Sequence, residues 1–217
     1  MSETLHRPAA EDAGPKLPDD PHGKRAQIIA AATGLFLAGG FAATSMDAVA
    51  RASNVSKATL YAYFASKEVL FGEIVGQTCR AKWDLDEPMP ADATPHARTH
   101  LTLIGNRLLR FFLRPETLAA FRIVITESPR SPELGRSFYQ AGPQGGMEWM
   151  AGIFARLRDA GELAVPDPLA AADQFGAMLR GALFLRAIIG QETITDAEIE
   201  AAVTRTVETI LRAYAPG

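Results

Sequence analysis

Residues 39–71 read GGFAATSMDAVARASNVSKATLYAYFASKEVLF, and the caps and apolar spacing in this stretch predict the structure of the N-terminal part of the chain. Thr44 opens a Thr-x-x-Asp pattern in which the hydroxyl can accept from a backbone N–H and the carboxylate of Asp47 can reach back. A helix is therefore predicted to start at about Ser45. It is expected to last about two turns and to end at Asn54, because asparagine tolerates the left-handed conformation that redirects the chain.

A second short helix is predicted directly after the turn. Ser56 is its N-cap, and the helix runs to about Phe64. Leu60 and Phe64 are four residues apart and share one face, which we assign to the core. The opposite face carries one cation, one hydroxyl and two phenols: Lys57, Thr59, Tyr61 and Tyr63. Two short helices joined in this way form a helix-turn-helix, a motif that places its second helix in the major groove of DNA.

The charge distribution favours a nucleic-acid partner for this motif. Residues 23–67 carry five basic side chains and one acidic side chain, a balance of +4, whereas the whole chain has a net charge of −3. The remainder of the chain therefore sums to −7. A basic module on an acidic body suits electrostatic attraction to a polyanion. Two short capped helices also occur in helical proteins that bind no DNA, so spacing alone leaves that alternative open.

Three regions are predicted along the chain. Residues 1–22 hold four prolines and five acids with few large apolar side chains, so they are expected to form a disordered tail. Residues 23–67 form the helix-turn-helix DNA-binding domain, in which an apolar stripe over 23–39 supplies a bracing helix. Residues 68–217 form a helical body. No stretch has the pattern of a secretory signal or a membrane span, so a cytoplasmic protein with no membrane partner is expected.

The stretch TSMDAVARASNVSKATLYAYFASKEVLF, residues 44–71, resembles the N-terminal DNA-binding domain of TetR-family bacterial transcription regulators. The positions that match the family pattern extend through the stretch without a gap: Thr44, Ala50, Val55, Ser56, Leu60, Tyr61, Tyr63, Phe64, Ser66, Lys67 and Leu70. Val49, Asn54 and Ala58 depart from it. The resemblance implies that the final two helices pair with those of a second subunit and that body helices line an effector pocket.

The body reads as helices separated by polar and proline-containing breaks, so the fold class is all-α, with about nine helices in total. Gly142 and Pro143 are expected to divide or kink a helix over 132–160. The last two predicted helices span 169–189 and 196–214, and the resemblance implies that they form a homodimer interface. Dimerisation is favoured because one two-turn helix reads too few base pairs to find an operator. The alternative is that these helices only close the monomer core.

Aromatic and methionine side chains are abundant in the body. A helical bundle can enclose an apolar cavity, and the resemblance implies a pocket for a small hydrophobic effector. The candidate pocket residues are Phe111, Phe112, Phe121, Ile125, Trp149, Met150, Phe154, Phe175 and Met178. The alternative for each of these side chains is that it belongs to the core.

No pattern typical of an enzyme is present. The sequence has no P-loop, no dinucleotide-binding glycine fingerprint and no G-x-S-x-G motif. His96 and His100 have the i, i+4 spacing of two metal ligands but lack a third ligand nearby. The lone Cys79 excludes an intrachain disulfide. We therefore expect neither catalysis nor a cofactor.

The sequence thus predicts a DNA-binding transcription regulator, and more specifically a repressor that a small hydrophobic effector releases from a palindromic operator. The DNA-contacting residues are expected to be Thr44, Ser45, Tyr63 and Lys67 on phosphates, and Lys57, Thr59 and Tyr61 on base edges, in a helix capped by Ser56. The alternative is a helical ligand-binding or protein-adaptor module that no longer recognises an operator. Ala58 and Ala62, at positions where the resembled family usually has other residues, support that alternative.

Overall fold

The computed structural model describes residues 21–82, 96–190 and 193–217, and within these ranges the chain is helical, without β-strands. The elements are α1 (Pro21–Gly39), α2 (Met46–Ala52), α3 (Lys57–Tyr63), α4 (Lys67–Lys82), α5 (Ala97–Phe112), α6 (Pro115–Glu127), α7 (Pro132–Tyr139), a π-helical segment (Gln140–Gln144), α8 (Gly145–Asp159), α9 (Pro168–Ile188) and α10 (Asp196–Ala213). The all-α prediction is confirmed.

The predicted tail, residues 1–22, lies outside the described residues except for its last two positions, where α1 begins at Pro21. The helix therefore starts two residues before the predicted boundary. The two final helices match their predicted bounds to within one residue at each end.

The structure has a π-helical segment at Gly142 and Pro143, where the sequence predicted that a helix divides or kinks. α7, this segment and α8 form one uninterrupted helical run from Pro132 to Asp159. Proline has no N–H to donate, and the wider turn of a π-helix accommodates this local change of register. With this run taken as one helix, the described residues contain nine helices.

The first cap differs from its prediction. The N-cap of α2 is Ser45, whose side chain accepts from the N–H of Ala48 at 3.1 Å, and the helix starts at Met46. Thr44 instead donates to the carbonyl of Gly40 at 2.8 Å, which fastens the loop before the helix. The turn itself is as predicted, since Asn54 adopts a φ of 52°.

The N-terminal helices share one core with part of the body. Phe36, Phe41 and Phe71 pack in a triangle with ring centroids 5.3 to 5.8 Å apart. Leu134 and Phe138 of α7 belong to the same buried cluster. α1, α2 and α3 together supply too little apolar surface for an independent core, and α4 and α7 complete it.

Backbones approach closely where α4 meets α7 and the π-helical segment. A Cβ atom on Gly72 would lie 3.0 Å from the Cβ of Ser137 and 3.2 Å from its carbonyl oxygen. A Cβ atom on Gly142 would lie 3.1 Å from the Cys79 Sγ and from a methyl of Val75. Glycine at both positions therefore lets these elements touch.

A second buried cluster lies between α5, α8, α9 and α10, where Phe154 and Phe175 are fully buried and pack edge to face. Thr195 and Glu198 form a capping box at the start of α10. The backbone hydrogen bond from Thr195, together with the Arg186 guanidinium at 2.7 Å, lowers the pKa of Glu198 to about 2. This ionised carboxylate links the C-terminal half of α9 to the start of α10.

We expect the substitution Gly72→Ala to lower the free energy of unfolding by about 1–3 kcal/mol, because the added methyl meets the backbone of Ser137. Urea denaturation measures this change. Gly34→Ala is the matched control, since nothing lies within 4 Å of its added Cβ and alanine favours a helix interior by about 0.5–1 kcal/mol. Equal stabilisation by both substitutions would contradict the close packing of α4 on α7.

Candidate nucleic-acid interface and adjoining cavity

The outward face of α3 presents polar side chains to solvent. The Ser56 hydroxyl caps the helix by accepting from the N–H of Thr59 at 3.0 Å. The Lys57 ammonium lies 2.6 Å from a carboxylate oxygen of Asp47, and both side chains are well exposed. Tyr61 exposes 50% of its surface, whereas Leu60 is fully buried beneath it. Lys57, Tyr61 and Leu60 thus lie on the faces of α3 that the sequence predicted for them.

Tyr63 is placed differently from Tyr61. Its ring packs beside Phe64, with the centroids 6.4 Å apart, and its hydroxyl oxygen is shielded from solvent. No hydrogen-bond partner for this hydroxyl is present among the described residues. The structure therefore does not present the Tyr63 hydroxyl on the outer surface, where the sequence prediction of a phosphate contact required it.

Lys67 and Thr44 also face inward, in contrast to their predicted phosphate roles. The Lys67 ammonium donates to the carbonyl oxygens of Phe41 at 2.7 Å and of Thr44 at 3.0 Å. It also lies 4.2 Å from the centroid of the Phe41 ring, in a cation–π contact. The charge of Lys67 thus fixes the loop between α1 and α2. The helix-turn-helix domain over residues 23–67 is called the head below. Of the predicted contact residues, Ser45, Ser56, Lys57 and Tyr61 are exposed on the head, Thr59, Tyr63 and Lys67 are half-buried, and Thr44 is buried.

A cavity of about 550 Å³ lies where the N-terminal helices meet the body. Its wall is mainly apolar and is rich in phenylalanine rings: Phe36, Phe71, Phe111, Phe112, Phe121 and Phe138. Charged side chains of both signs lie on the same wall: Arg114, Glu116, Asp173 and Arg180. α1 and α4 form one side of the cavity, so its contents would touch the elements that carry the helix-turn-helix.

Four of the nine predicted pocket residues line this cavity, namely Phe111, Phe112, Phe121 and Met150. The other five do not. Phe154 and Phe175 are completely buried in the body core, where Trp149 also packs, and Ile125 is 60% exposed. Met178 lines a separate cavity between α9 and α10. Sequence reasoning missed Phe36 of the predicted DNA-binding domain and Phe71 at the start of the predicted body, because periodicity gives no signal that both border one cavity.

The described residues contain no group of three side chains that could hold a metal ion. His96 is the N-cap residue of α5, and its Nδ1 lies 4.0 Å from Oε1 of Glu162. The other carboxylate oxygen of Glu162 accepts from the N–H of Ala97 at 3.1 Å, so this carboxylate binds the start of the helix. No helix within the described ranges has the length and hydropathy to cross a lipid bilayer.

Two family models match the chain. Residues 28–74 match the model of bacterial regulatory proteins of the tetR family, and residues 99–216 match that of the C-terminal domain of AefR-like transcriptional repressors. The second match covers more than half of the chain. The chain belongs to the TetR family. It is therefore a DNA-binding transcription regulator and not an enzyme.

Some similar proteins match most of this chain, and another matches about a third of it. The solved structure of the Flavonoid-responsive Regulator FrrA is 38% identical, covers 89% of this chain and 97% of its own, and has a TM-score of 0.73. A structure from Mesorhizobium loti MAFF303099, described as a TetR-family transcriptional regulator, is 31% identical, covers 88% of this chain and 96% of its own, and has a TM-score of 0.76. The HTH-type transcriptional regulator YhgD of Bacillus subtilis, described as uncharacterized, is 39% identical over 79 residues, which is 36% of this chain and 41% of that protein.

We expect Lys67→Met to lower the free energy of unfolding by about 1.5–3 kcal/mol, because hydrogen bonds from a charged donor to two carbonyl groups are lost. Urea denaturation measures this change. Lys24→Met, at an exposed position of α1, is the control and should leave stability nearly unchanged. A Lys67→Met protein that is fully stable yet binds DNA weakly would contradict the structural role and support the phosphate role.

Proposed function

We propose that this TetR-family protein is a homodimeric repressor that leaves a palindromic operator when a small hydrophobic effector binds. In this proposal, each subunit places α3 in a major groove, and the two-fold axis sets the two helices about 34–36 Å apart. A regulator of chromosomal genes acts in the bacterial cytoplasm, which is the location that we propose. The outward face of α3 is the observation that carries the proposal.

The exposed side chains of the helix-turn-helix support direct contacts with DNA. We assign base contacts to Lys57, Thr59 and Tyr61, since ammonium, hydroxyl and phenol groups reach base edges and thymine methyls in a major groove. Ser45 and Ser56 are assigned to the flanking phosphates. The exposed ion pair between Lys57 and Asp47 contributes only about 0–1 kcal/mol, so DNA can replace the carboxylate as the partner of the ammonium.

Exposed apolar side chains on α9 and at its C-terminal end support the homodimer. Leu169, Leu185 and Ile189 expose 50, 59 and 60% of their surfaces. Ile189 is the residue that caps α9, and its N–H donates to the carbonyl of Leu185 at 3.2 Å, so both residues lie at the same end of the helix. A second copy of α9 and α10 would remove these side chains from water, which stabilises an interface by about 25 cal/mol per Å² of apolar surface. We therefore place the two-fold axis beside these helices.

The cavity between head and body supports an effector site. Its volume of about 550 Å³ lies within the usual range of ligand pockets, about 300–1,000 Å³, and its wall is rich in aromatic rings. A similar structure is described as a flavonoid-responsive regulator. We propose an effector of that chemical class, a small molecule of fused and linked aromatic rings. An effector shifts the equilibrium only if it binds more tightly to the form whose two heads no longer match the grooves.

We expect Lys57→Ala and Tyr61→Ala each to weaken operator binding by about 1–3 kcal/mol while leaving the fold intact. The measurement is a fluorescence anisotropy titration with the DNA that flanks the protein's own gene. Arg158→Ala on α8 is the control, since this residue lies in the body.

Unchanged affinity of both α3 variants would contradict the assignment of the recognition surface. Binding by the unmodified protein should also weaken steeply as the salt concentration rises, because phosphate contacts release counterions. A salt-independent interaction would indicate a partner other than DNA and would favour the adaptor alternative.

We expect Leu185→Glu to convert the dimer to monomers, because an exposed leucine of α9 becomes a buried charge at the proposed interface. Sedimentation velocity measures the change. Leu103→Glu is the matched control, since Leu103 is also exposed, at 47%, but lies on α5. A variant at Leu185 that remains dimeric would place the interface elsewhere.

A further inference from the structure

Four charged side chains line the cavity between head and body, and they differ in their exposure to solvent. Glu116 and Asp173 are exposed, whereas Arg114 and Arg180 are half-buried. Water and salt screen exposed charges strongly and partly buried charges much less. The wall carries two acidic and two basic groups, but the two that solvent screens less are both positive. The cavity therefore favours an anion over a cation.

Arg180 differs from Arg114 in that two contacts fix its guanidinium. Its Nε donates to the carbonyl of Gly176 at 3.1 Å, and its Cζ lies 5.4 Å from the centroid of the Phe112 ring, in a cation–π contact. Among the described residues, no hydrogen bond or ring contact holds the side chain of Arg114. A guanidinium that is already held in place loses less conformational freedom when a ligand binds to it.

The same two contacts place the guanidinium at the cavity between head and body. Arg180 also lines the cavity between α9 and α10. Its two partners, Gly176 and Phe112, line the cavity between head and body and not that second cavity. The hydrogen bond to Gly176 is only partly buried, so solvent reaches this part of the wall and a ligand can do so as well.

The Nη1 and Nη2 atoms of Arg180 are available to such a ligand. Within the described part of the chain, neither atom has an acceptor, and no carboxylate forms an ion pair with this guanidinium. Asp173 lies two turns earlier on the same helix, about 10 Å away along the helix axis. The two outer nitrogens of a guanidinium match the two oxygens of a carboxylate and can donate to both at once.

We propose that Arg180 binds the carboxylate of an effector that is otherwise aromatic and apolar. The phenylalanine rings of the wall contact the apolar part of this ligand, and Arg180 selects the acid over an uncharged analogue of the same shape. The proposal rests on the effector site described under the proposed function. It adds the charged group of the effector and the residue that recognises this group.

Biphenyl-4-carboxylate and biphenyl-4-carboxamide test the proposal with the full-length protein, because they share one shape and differ in charge. Isothermal titration calorimetry at neutral pH measures the affinity for each probe. The unmodified protein should bind the carboxylate more tightly. We expect Arg180→Gln to weaken carboxylate binding about 10- to 100-fold, the effect of losing hydrogen bonds to a charged group, and to change carboxamide binding less than about threefold.

Arg180→Lys is the conservative variant. It keeps the positive charge but cannot donate from two nitrogens in a fixed plane, so carboxylate binding should weaken about three- to tenfold. This variant also decides the matter if Arg180→Gln does not fold. An unchanged ratio of the carboxylate affinity to the carboxamide affinity in Arg180→Lys would then overturn the proposal.

Arg114→Gln is the matched control, because it removes the same charge from the same wall at a position where no described contact holds the side chain. It should weaken carboxylate binding less than about threefold. Asp173→Asn removes an exposed negative charge from the wall and should not weaken carboxylate binding. Equal losses in Arg114→Gln and Arg180→Gln would mean that the total charge of the wall attracts the anion, which overturns the role of Arg180.

Failure of this proposal can be distinguished from failure of the proposed effector site. If the unmodified protein binds the carboxamide as tightly as the carboxylate, or more tightly, the role of Arg180 is overturned while the effector site stands. An equal loss of affinity for both probes in Arg180→Gln would mean that Arg180 acts only by packing, which also overturns the proposal. If the unmodified protein binds neither probe, the proposed effector class is wrong, and the role of Arg180 is wrong with it.

Discussion

The close approach of α4 to α7 holds the DNA-binding head to the body. α1, α2 and α3 cannot bury enough apolar surface to fold alone, so the head completes its core with side chains of α4 and α7. Gly72 and Gly142 allow this contact because any larger residue would meet a neighbouring backbone or side chain. Residues of α4, α7 and the π-helical segment also line the cavity. The packing of these elements therefore determines both the stability of the head and the shape of the proposed effector site.

The hydrogen-bond partners of the head residues determine which groups can face DNA. Lys67 and Thr44 use their donors to hold the loop between α1 and α2. The Lys57 ammonium, in contrast, pairs with the exposed carboxylate of Asp47, and Tyr61 projects into solvent. The two lysines thus have different roles within one motif. The half-buried ammonium of Lys67 holds the loop in place through backbone carbonyl groups, and the exposed ammonium of Lys57 is available to contact a partner.

The cavity wall is continuous with the helix assigned to the dimer interface. Phe184 of α9 packs against Phe112 and Phe121, at centroid distances of 6.2 and 5.0 Å. Arg122 of α6 donates to the carbonyl oxygens of Ala187 and Ile188, both at 2.8 Å, at the end of α9. An occupant of the cavity would therefore contact elements that pack on α9 as well as the helices of the head. Such shared contacts are what a ligand needs to bias the arrangement of two subunits.

Local sequence was enough to predict the helices, the turn at Asn54, the cap at Ser56 and the burial of Leu60 opposite the exposed Tyr61, because each depends on residues a few positions apart. The roles of residues that are far apart in the chain were set by tertiary contacts. Lys67 bonds to a carbonyl 26 residues away, which no local pattern encodes. Ser45 rather than Thr44 caps α2, and the Thr44 hydroxyl donates to the carbonyl of Gly40. The cavity likewise collects residues from helices that periodicity assigns to separate regions. Periodicity shows which side of a helix is apolar, but packing determines whether that side meets a core, a cavity or solvent. Phe154 lies in the core, Phe121 lines the cavity, and Ile125 is exposed to solvent.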